Sequence, residues 1–509
     1  MKKFLLSSIS LCLGANLVVK LVILLSMQPM YWFDEIALSL ISKSPAPEIF
    51  DVVLSERFHP PGFYFFLKLL PLDNMVLSKI IITVISYSIV FAALIYANKN
   101  SLIVKYKLKY GLLLFFCSFL FLTMSSDLKQ DAISFPLALA IFFMLLKFSK
   151  SKKLKPKETI IYTLLAIALF FTAYVNYFFV LAGALGIFFV IRRDGLLKKS
   201  LMTQAFLLMV YFPYGISQYL TAKERSYWTF GFNNSFFENV EISLSGMSLS
   251  GFAGDLVLLT ILLLVALFVT NYKKYMPFSF GARNMFTVWA AILLVSLPVL
   301  YFHRFFIVPR YSSFVFFLIS IFFGWGMVEL TKKLQKQAVV SMLTCLLLLL
   351  SFASYANRIK KTSSQVDFIA SNVSKQSEEG IVGFLSDHHH LPLIYKLWFF
   401  KDNANLVPLN AYNPNAFVDV GQITKESQTY EKMERVSDVN YIANRLEEND
   451  LKKIMFLDIP YENESNLDRH NQILQALQNI CNLEEVILPQ ESGIQMRYYS
   501  FANCGNKDE

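Results

Sequence analysis

The sequence predicts an all-α polytopic membrane protein of about eleven transmembrane helices, followed by a C-terminal soluble α/β domain. Three observations lead there. Of 509 residues, 55% are hydrophobic, including 49 Phe and 25 Tyr, more apolar surface than a soluble chain of this length needs. Apolar runs of bilayer length recur as far as residue 355, and the basic residues between them alternate in position. The remaining stretch is polar and carries short strand-like runs.

The runs lie near residues 4–27, 77–97, 110–126, 131–147, 159–174, 177–191, 201–220, 255–271, 285–302, 311–329 and 338–355. The stretch 159–191 is too long for one span and divides at Tyr174, Asn176 and Tyr177. The opening MKK and the apolar run after it are longer than the core of a cleaved signal peptide, so the first run reads as a retained helix. Lys2 and Lys3, the lysines at 99–109 and 147–157, Arg192, Arg193, Lys198, Lys199, Lys273, Lys274, Arg283 and Lys332–Lys336 all fall on alternate loops. By the positive-inside rule that side is cytoplasmic, and an odd number of spans puts the C-terminal region outside. The expected location is therefore the bacterial cytoplasmic (inner) membrane, with the N-terminus cytoplasmic and the tail extracytoplasmic. An excess of basic residues placed in this way indicates membrane lipids, and no nucleic acid.

Two domains follow: 1–356, transmembrane, with outer loops at 28–76 and 221–254, and 357–509, extracytoplasmic. In the tail, IVGFL, NLVPL, KIMFLDI, EEVILP and IQMRYYSF read as strands, while VNYIANRLEEND and NQILQALQNIC have helical spacing. Cys12, Cys117 and Cys345 lie in apolar runs and suit packing. Cys481 and Cys504 both fall outside, where a disulfide is permitted, and are expected to pair.

Candidate functional residues cluster at the outer ends of the spans. YWFDEIALSL places Asp34 and Glu35 together in an apolar stretch, where a carboxylate suits proton transfer. ERFHPPGFYFF follows: Pro60 and Pro61 stop one helix and start another. The apolar segment behind them is too short to span and suits the membrane interface, with Arg57 and His59 at headgroup level. SSDLKQDAISF packs Asp127, Lys129 and Asp131 into a tight turn. FHRFFIVPRYSSF puts His303, Arg304 and Arg310 outside, against the positive-inside bias, where a bound anion would explain them. Lys20 lies inside the first run and either snorkels or approaches a phosphate. DHHH, residues 387–390, does not suit a metal, because side chains alternate along a strand and no spaced ligand accompanies it.

In their order and spacing these motifs resemble the GT-C superfamily of integral-membrane glycosyltransferases, in particular the branch of protein O-mannosyltransferases and the lipid A aminoarabinose transferase. The Asp-Glu pair after the first helix is matched by Asp34 and Glu35, and the His/Lys-Pro-Pro segment with its aromatic run by His59, Pro60, Pro61 and Tyr64. The Ser-x-Glu-x-Arg-x-Tyr turn is matched by Ser125, Asp127, Lys129 and Asp131, with Lys for Arg and Asp for Tyr. The late Arg-Tyr is matched by Arg310 and Tyr311.

The resemblance implies transfer of a hexosyl or pentosyl unit from a polyprenyl-phosphate sugar to an acceptor hydroxyl of a cell-envelope glycan, lipid or protein. The reaction would run on the outer face, with inversion. Asp34 would be the base and Glu35 would orient the acceptor or the base. Arg57, His59, Asp127, Lys129, His303, Arg304, Arg310 and Tyr311 would bind the donor phosphate and substrate. No cofactor is expected and a divalent metal is not required. A polymerase of the O-antigen or exopolysaccharide type is the alternative, although its bulk usually lies between late helices. A transporter is the third class, which would place charges near mid-membrane at broken helices.

Overall fold

The structure is a computed structural model. It describes residues 2–27, 33–43, 45–55, 60–105, 107–150, 154–188, 195–224, 284–289, 313–334, 346, 348–360, 382–386, 406–408, 452–458, 474–475, 477–487 and 497–504. The chain divides into two compact units. One holds Met1–Ser26, Val53–Phe66 and Val76–Asn357, and the other Met27–Val52, Leu67–Met75 and Arg358–Glu509.

The first unit is helical. α1 (Lys2–Met27) is followed, within the stretch expected as an outer loop, by α2 (Phe33–Lys43), α3 (Ala46–Ser55) and α4 (Gly62–Leu67); α2 and most of α3 belong to the second unit. Next come α5 (Met75–Lys99), α6 (Leu102–Lys105), α7 (Lys109–Phe116), α8 (Phe119–Met124), α9 (Asp131–Phe148), α10 (Pro156–Thr172), α11 (Tyr174–Phe188) and α12 (Gly195–Glu224). Among the described residues it also holds a helical stretch over 284–289, α13 (Ser313–Leu334) and a helix over residues 348–360, whose last three residues fall in the second unit. Among the described residues, three helical stretches are long and apolar enough to cross a bilayer: Ile9–Met27, Met75–Lys99 and Asp131–Phe148. The expected span at 255–271 and most of 285–302 lie outside the described residues.

Local chemistry sets the helix ends. Pro156 occupies the first turn of α10, where its missing N–H has no partner to lose. α10 stops because Ala173 is extended (φ −158°, ψ 111°), and α11 starts at Tyr174, where the sequence divides 159–191. The run 110–126, expected as one span, is instead two helices. Ser118 takes an extended conformation, donates to Phe115 O at 2.6 Å and accepts from the Phe121 amide at 3.2 Å. A serine that caps its own following turn interrupts a helix that hydropathy reads as continuous.

α9 is the buried centre of this unit, with residues of every face hidden. Phe142 stacks on Trp289 (ring centroids 5.7 Å) and meets Phe317 edge-on at 5.1 Å. Trp289 donates its Nε1–H to Phe179 O at 2.7 Å, and a side chain on Gly183 would collide with its indole. α7 and α13 cross at Gly111 and Gly324, where a Cβ on Gly324 would run into the backbone nitrogen and Cα of Gly111. At the opposite end of α9 from Asp131, Lys147 pairs with Glu158 and lies 5.3 Å from the centroid of the Tyr96 ring.

The second unit carries a five-stranded mixed sheet ordered β2-β1-β3-β5-β4, from β1 (Val382–Ser386), β2 (Leu406–Pro408), β3 (Lys453–Asp458), β4 (Asn482–Ile487) and β5 (Arg497–Ala502). β1 runs parallel to β2 and β3; β5 is antiparallel to β3 and β4. Each strand overlaps one of the five strand-like runs of the sequence. Phe456 and Tyr499 form a stacked cross-strand pair at 5.7 Å. Cys481 and Cys504 are joined by a disulfide at the end of the β4–β5 ladder where Asn482 faces Ala502.

Candidate active site

Glu35 lies in the first turn of α2, in the second unit, and has no solvent exposure. Leu38, Ser39 and Ser42 are also buried, and with Glu35 they form the i, i+3, i+4, i+7 face of the helix. The carboxylate is therefore on the packed face, although the sequence reads these residues as an outer loop. Asp34 precedes it in the same turn. At the other end of α2, Lys43 forms an exposed ion pair with Asp73 at 2.5 Å.

In the first unit the polar groups converge on the turn between α8 and α9. Ser125 caps the end of α8, Ser126 and Asp127 both donate backbone N–H to Thr123 O at 3.1 Å, and Asp131 opens α9. Lys129 is buried in this turn and Asp127 is half-buried. Three charges in a buried turn need partners, because an unpaired buried charge costs several kcal/mol. Part of that pairing comes from residues far away in sequence.

Asp131 accepts from Ser313 Oγ at 3.4 Å, across 182 residues. Asn176 on α11 then ties the starts of α9 and α13 together. Its Nδ2 donates to Ser134 Oγ at 2.9 Å and to Ser313 Oγ at 3.1 Å, and its Oδ1 accepts from the Phe314 amide at 3.2 Å. Asp131 and Ser134 are three residues apart and so share one face of α9. On the other side of the turn, Lys20 of α1 donates to Leu122 O and Ser125 Oγ, and Ser126 Oγ lies 2.8 Å from Tyr355 OH. The arrangement gathers α1, α8, α9, α11, α13 and the 348–360 helix around one short polar segment.

Of the residues singled out in the sequence, Asp127, Lys129 and Asp131 are thus on the assembled turn. Arg57, His59, His303, Arg304, Arg310 and Tyr311 lie outside the described residues, as do DHHH, VNYIANRLEEND and nearly all of 221–254. Ser313 follows Arg310 by three residues. Sequence reading passed over Asn176 except as a helix divider, and passed over Tyr355 altogether. A polar residue in an apolar run is the signal that marks both.

No protein-family model matches this chain, and no curated protein does. Among solved structures, the chain is similar to the crystal structure of ArnT from Cupriavidus metallidurans in the apo state. The TM-score is 0.48 and the identity 13%, over 98% of each chain.

Proposed function

We propose that this chain is an integral-membrane glycosyltransferase that moves a sugar from a polyprenyl-phosphate donor to an acceptor hydroxyl on the outer membrane face, with inversion. The observation that carries this reading is the Ser313–Asp131 contact. Two sequence motifs, the SSDLKQD turn with its Lys129 and the Arg310-Tyr311 pair that precedes α13 in sequence, are proposed to serve the same phosphate, and this contact ties the turn to the first residue of α13.

In the reaction, the acceptor oxygen attacks the anomeric carbon and its proton passes to Asp34, with Glu35 orienting the base or the acceptor. The bond from the anomeric carbon to the phosphate oxygen breaks, and the electron pair leaves with the phosphate. Charge grows on that oxygen as the bond lengthens, so cations held ready for it lower the barrier. Lys129 and Arg310 are the first candidates, with Arg57, His59, His303 and Arg304 beside them. Asp127 and Tyr311 would order the substrate. Burial of Lys129 supports this reading, because water-poor surroundings strengthen the attraction between its ammonium and a phosphate. Eleven spans, the cytoplasmic N-terminus, the inner membrane and a soluble outer α/β domain bearing the sheet belong to the same proposal.

The test is the purified full chain assayed with radiolabelled polyprenyl-phosphate sugars against extracted envelope glycans and lipids. Label should move to an acceptor in the wild type, and Asp34→Asn should lower the rate by about 10²–10⁴-fold while the protein still inserts. Wild-type turnover in that variant removes Asp34 as the base. The absence of transfer from every donor removes the transferase reading.

A further inference from the structure

Lys20 has no solvent exposure, although it lies seven residues before the end of α1, about 10 Å along the axis. A lysine so near a helix end ordinarily extends to the headgroups. This one turns inward onto the last turn of α8, where carbonyls take partners from outside the helix. Its ammonium donates to Leu122 O and, at 2.5 Å, to Ser125 Oγ; Ser125 in turn donates to Phe121 O at 2.6 Å. Tyr87 and Tyr355 present ring faces at 5.7 and 5.5 Å, replacing part of the lost hydration. Tyr355 also reaches the next residue of the turn through Ser126.

We infer that Lys20 is a positioning residue: without touching substrate, its ammonium fixes the exit of α8 so that the 125–130 turn presents Asp127 and Lys129 in one orientation. What the turn presents them to, the donor phosphate, rests on the transferase reading. The hold of Lys20 on the turn does not. Apolar packing would satisfy burial at less desolvation cost, but only a donor such as the ammonium can hold the carbonyl and hydroxyl at the α8 exit. The amides of Ser125, Ser126 and Asp127 are bonded back to Phe121 O and Thr123 O, and these bonds should open more often once the cap is lost.

Two measurements on the full chain separate the two parts. In Lys20→Met, hydrogen exchange of the 125–127 amides should quicken by about tenfold. The donor KM should rise by about tenfold, with a smaller change in kcat. If Lys20→Met does not purify as a monodisperse protein, Ser125→Ala and Tyr355→Phe, each lacking one hydroxyl, replace it with smaller shifts in the same direction. Unchanged exchange overturns the proposal whatever the activity. Faster exchange with an unchanged donor KM overturns the link to the donor. Faster exchange in a protein whose wild type transfers no sugar keeps Lys20 as the turn's anchor and removes the transferase reading instead.

Discussion

Asp131 and Phe142 lie on the same helix and are hidden to the same degree, at 2% and 0% exposure, but their surroundings have little in common. Phe142 meets the rings of Trp289, Phe317, Phe314 and Phe286. Asp131, three turns earlier, is bonded to Ser313, and its neighbour Ser134 to Asn176. The aromatic middle supplies cohesion in the way any core does. The polar start adds little to stability, because each buried polar group loses on desolvation about what its hydrogen bond returns. What it contributes is orientation, by fixing the starts of α9 and α13 against one another.

This contrast can be broken most readily in the middle. Trp289→Ala should destabilise the protein by about 3–5 kcal/mol, read as a lower thermal midpoint in detergent. Transfer per folded molecule should hold. A loss of specific activity as large as the loss of stability would mean that the aromatic core is not mere cohesion. Asn176→Ala comes next. It removes one hydrogen bond each from Ser134 Oγ, Ser313 Oγ and the Phe314 amide and should cost about 1–3 kcal/mol. Here transfer per folded molecule should fall, because the starts of α9 and α13 lose their tie. Asp131→Asn sharpens the comparison further, since it keeps an acceptor for Ser313 and removes the charge. Stability should change by less than about 1.5 kcal/mol while donor KM rises; an unchanged KM would make Asp131 purely structural. Lys43→Ala, at an exposed pair in the other unit, should cost no more than about 1 kcal/mol and less at high salt. A larger loss would show that exposed charge matters more to this protein than buried charge.

The sheet and the break at Ala173 were legible because their signals are local. Local patterning marked KIMFLDI and IQMRYYSF as strand-like, and Tyr174, Asn176 and Tyr177 interrupted an apolar run. The break at Ser118 was not legible by hydropathy, since one hydroxyl among phenylalanines hardly moves an average. Helix α2 was hidden inside an expected loop, although its buried residues at 35, 38, 39 and 42 have helical spacing. Asp127, Lys129 and Asp131 could be picked out as an unusual charge density in a short turn. The residues that tie this segment down could not, because Lys20, Asn176, Ser313 and Tyr355 reach Ser125, Ser134, Asp131 and Ser126 from about 40 to 230 residues away, and no local rule encodes such meetings. Lys20 stood out in the sequence as a charge in an apolar helix; its role came only with Leu122 and Ser125.

The crossing of α7 and α13 bears on how this protein can change over time. At most tight contacts, an enlarged side chain on one helix can be accommodated by a smaller one opposite. At Gly324 the obstruction is the main chain of Gly111 itself, which no exchange of side chains removes. A bulkier residue there has no second-site suppressor at its partner, so reversion or a shift of a whole helix is the only way back. Selection for regained function in a Gly324→Val strain should accordingly return glycine or changes spread along α7, and never a substitution at position 111.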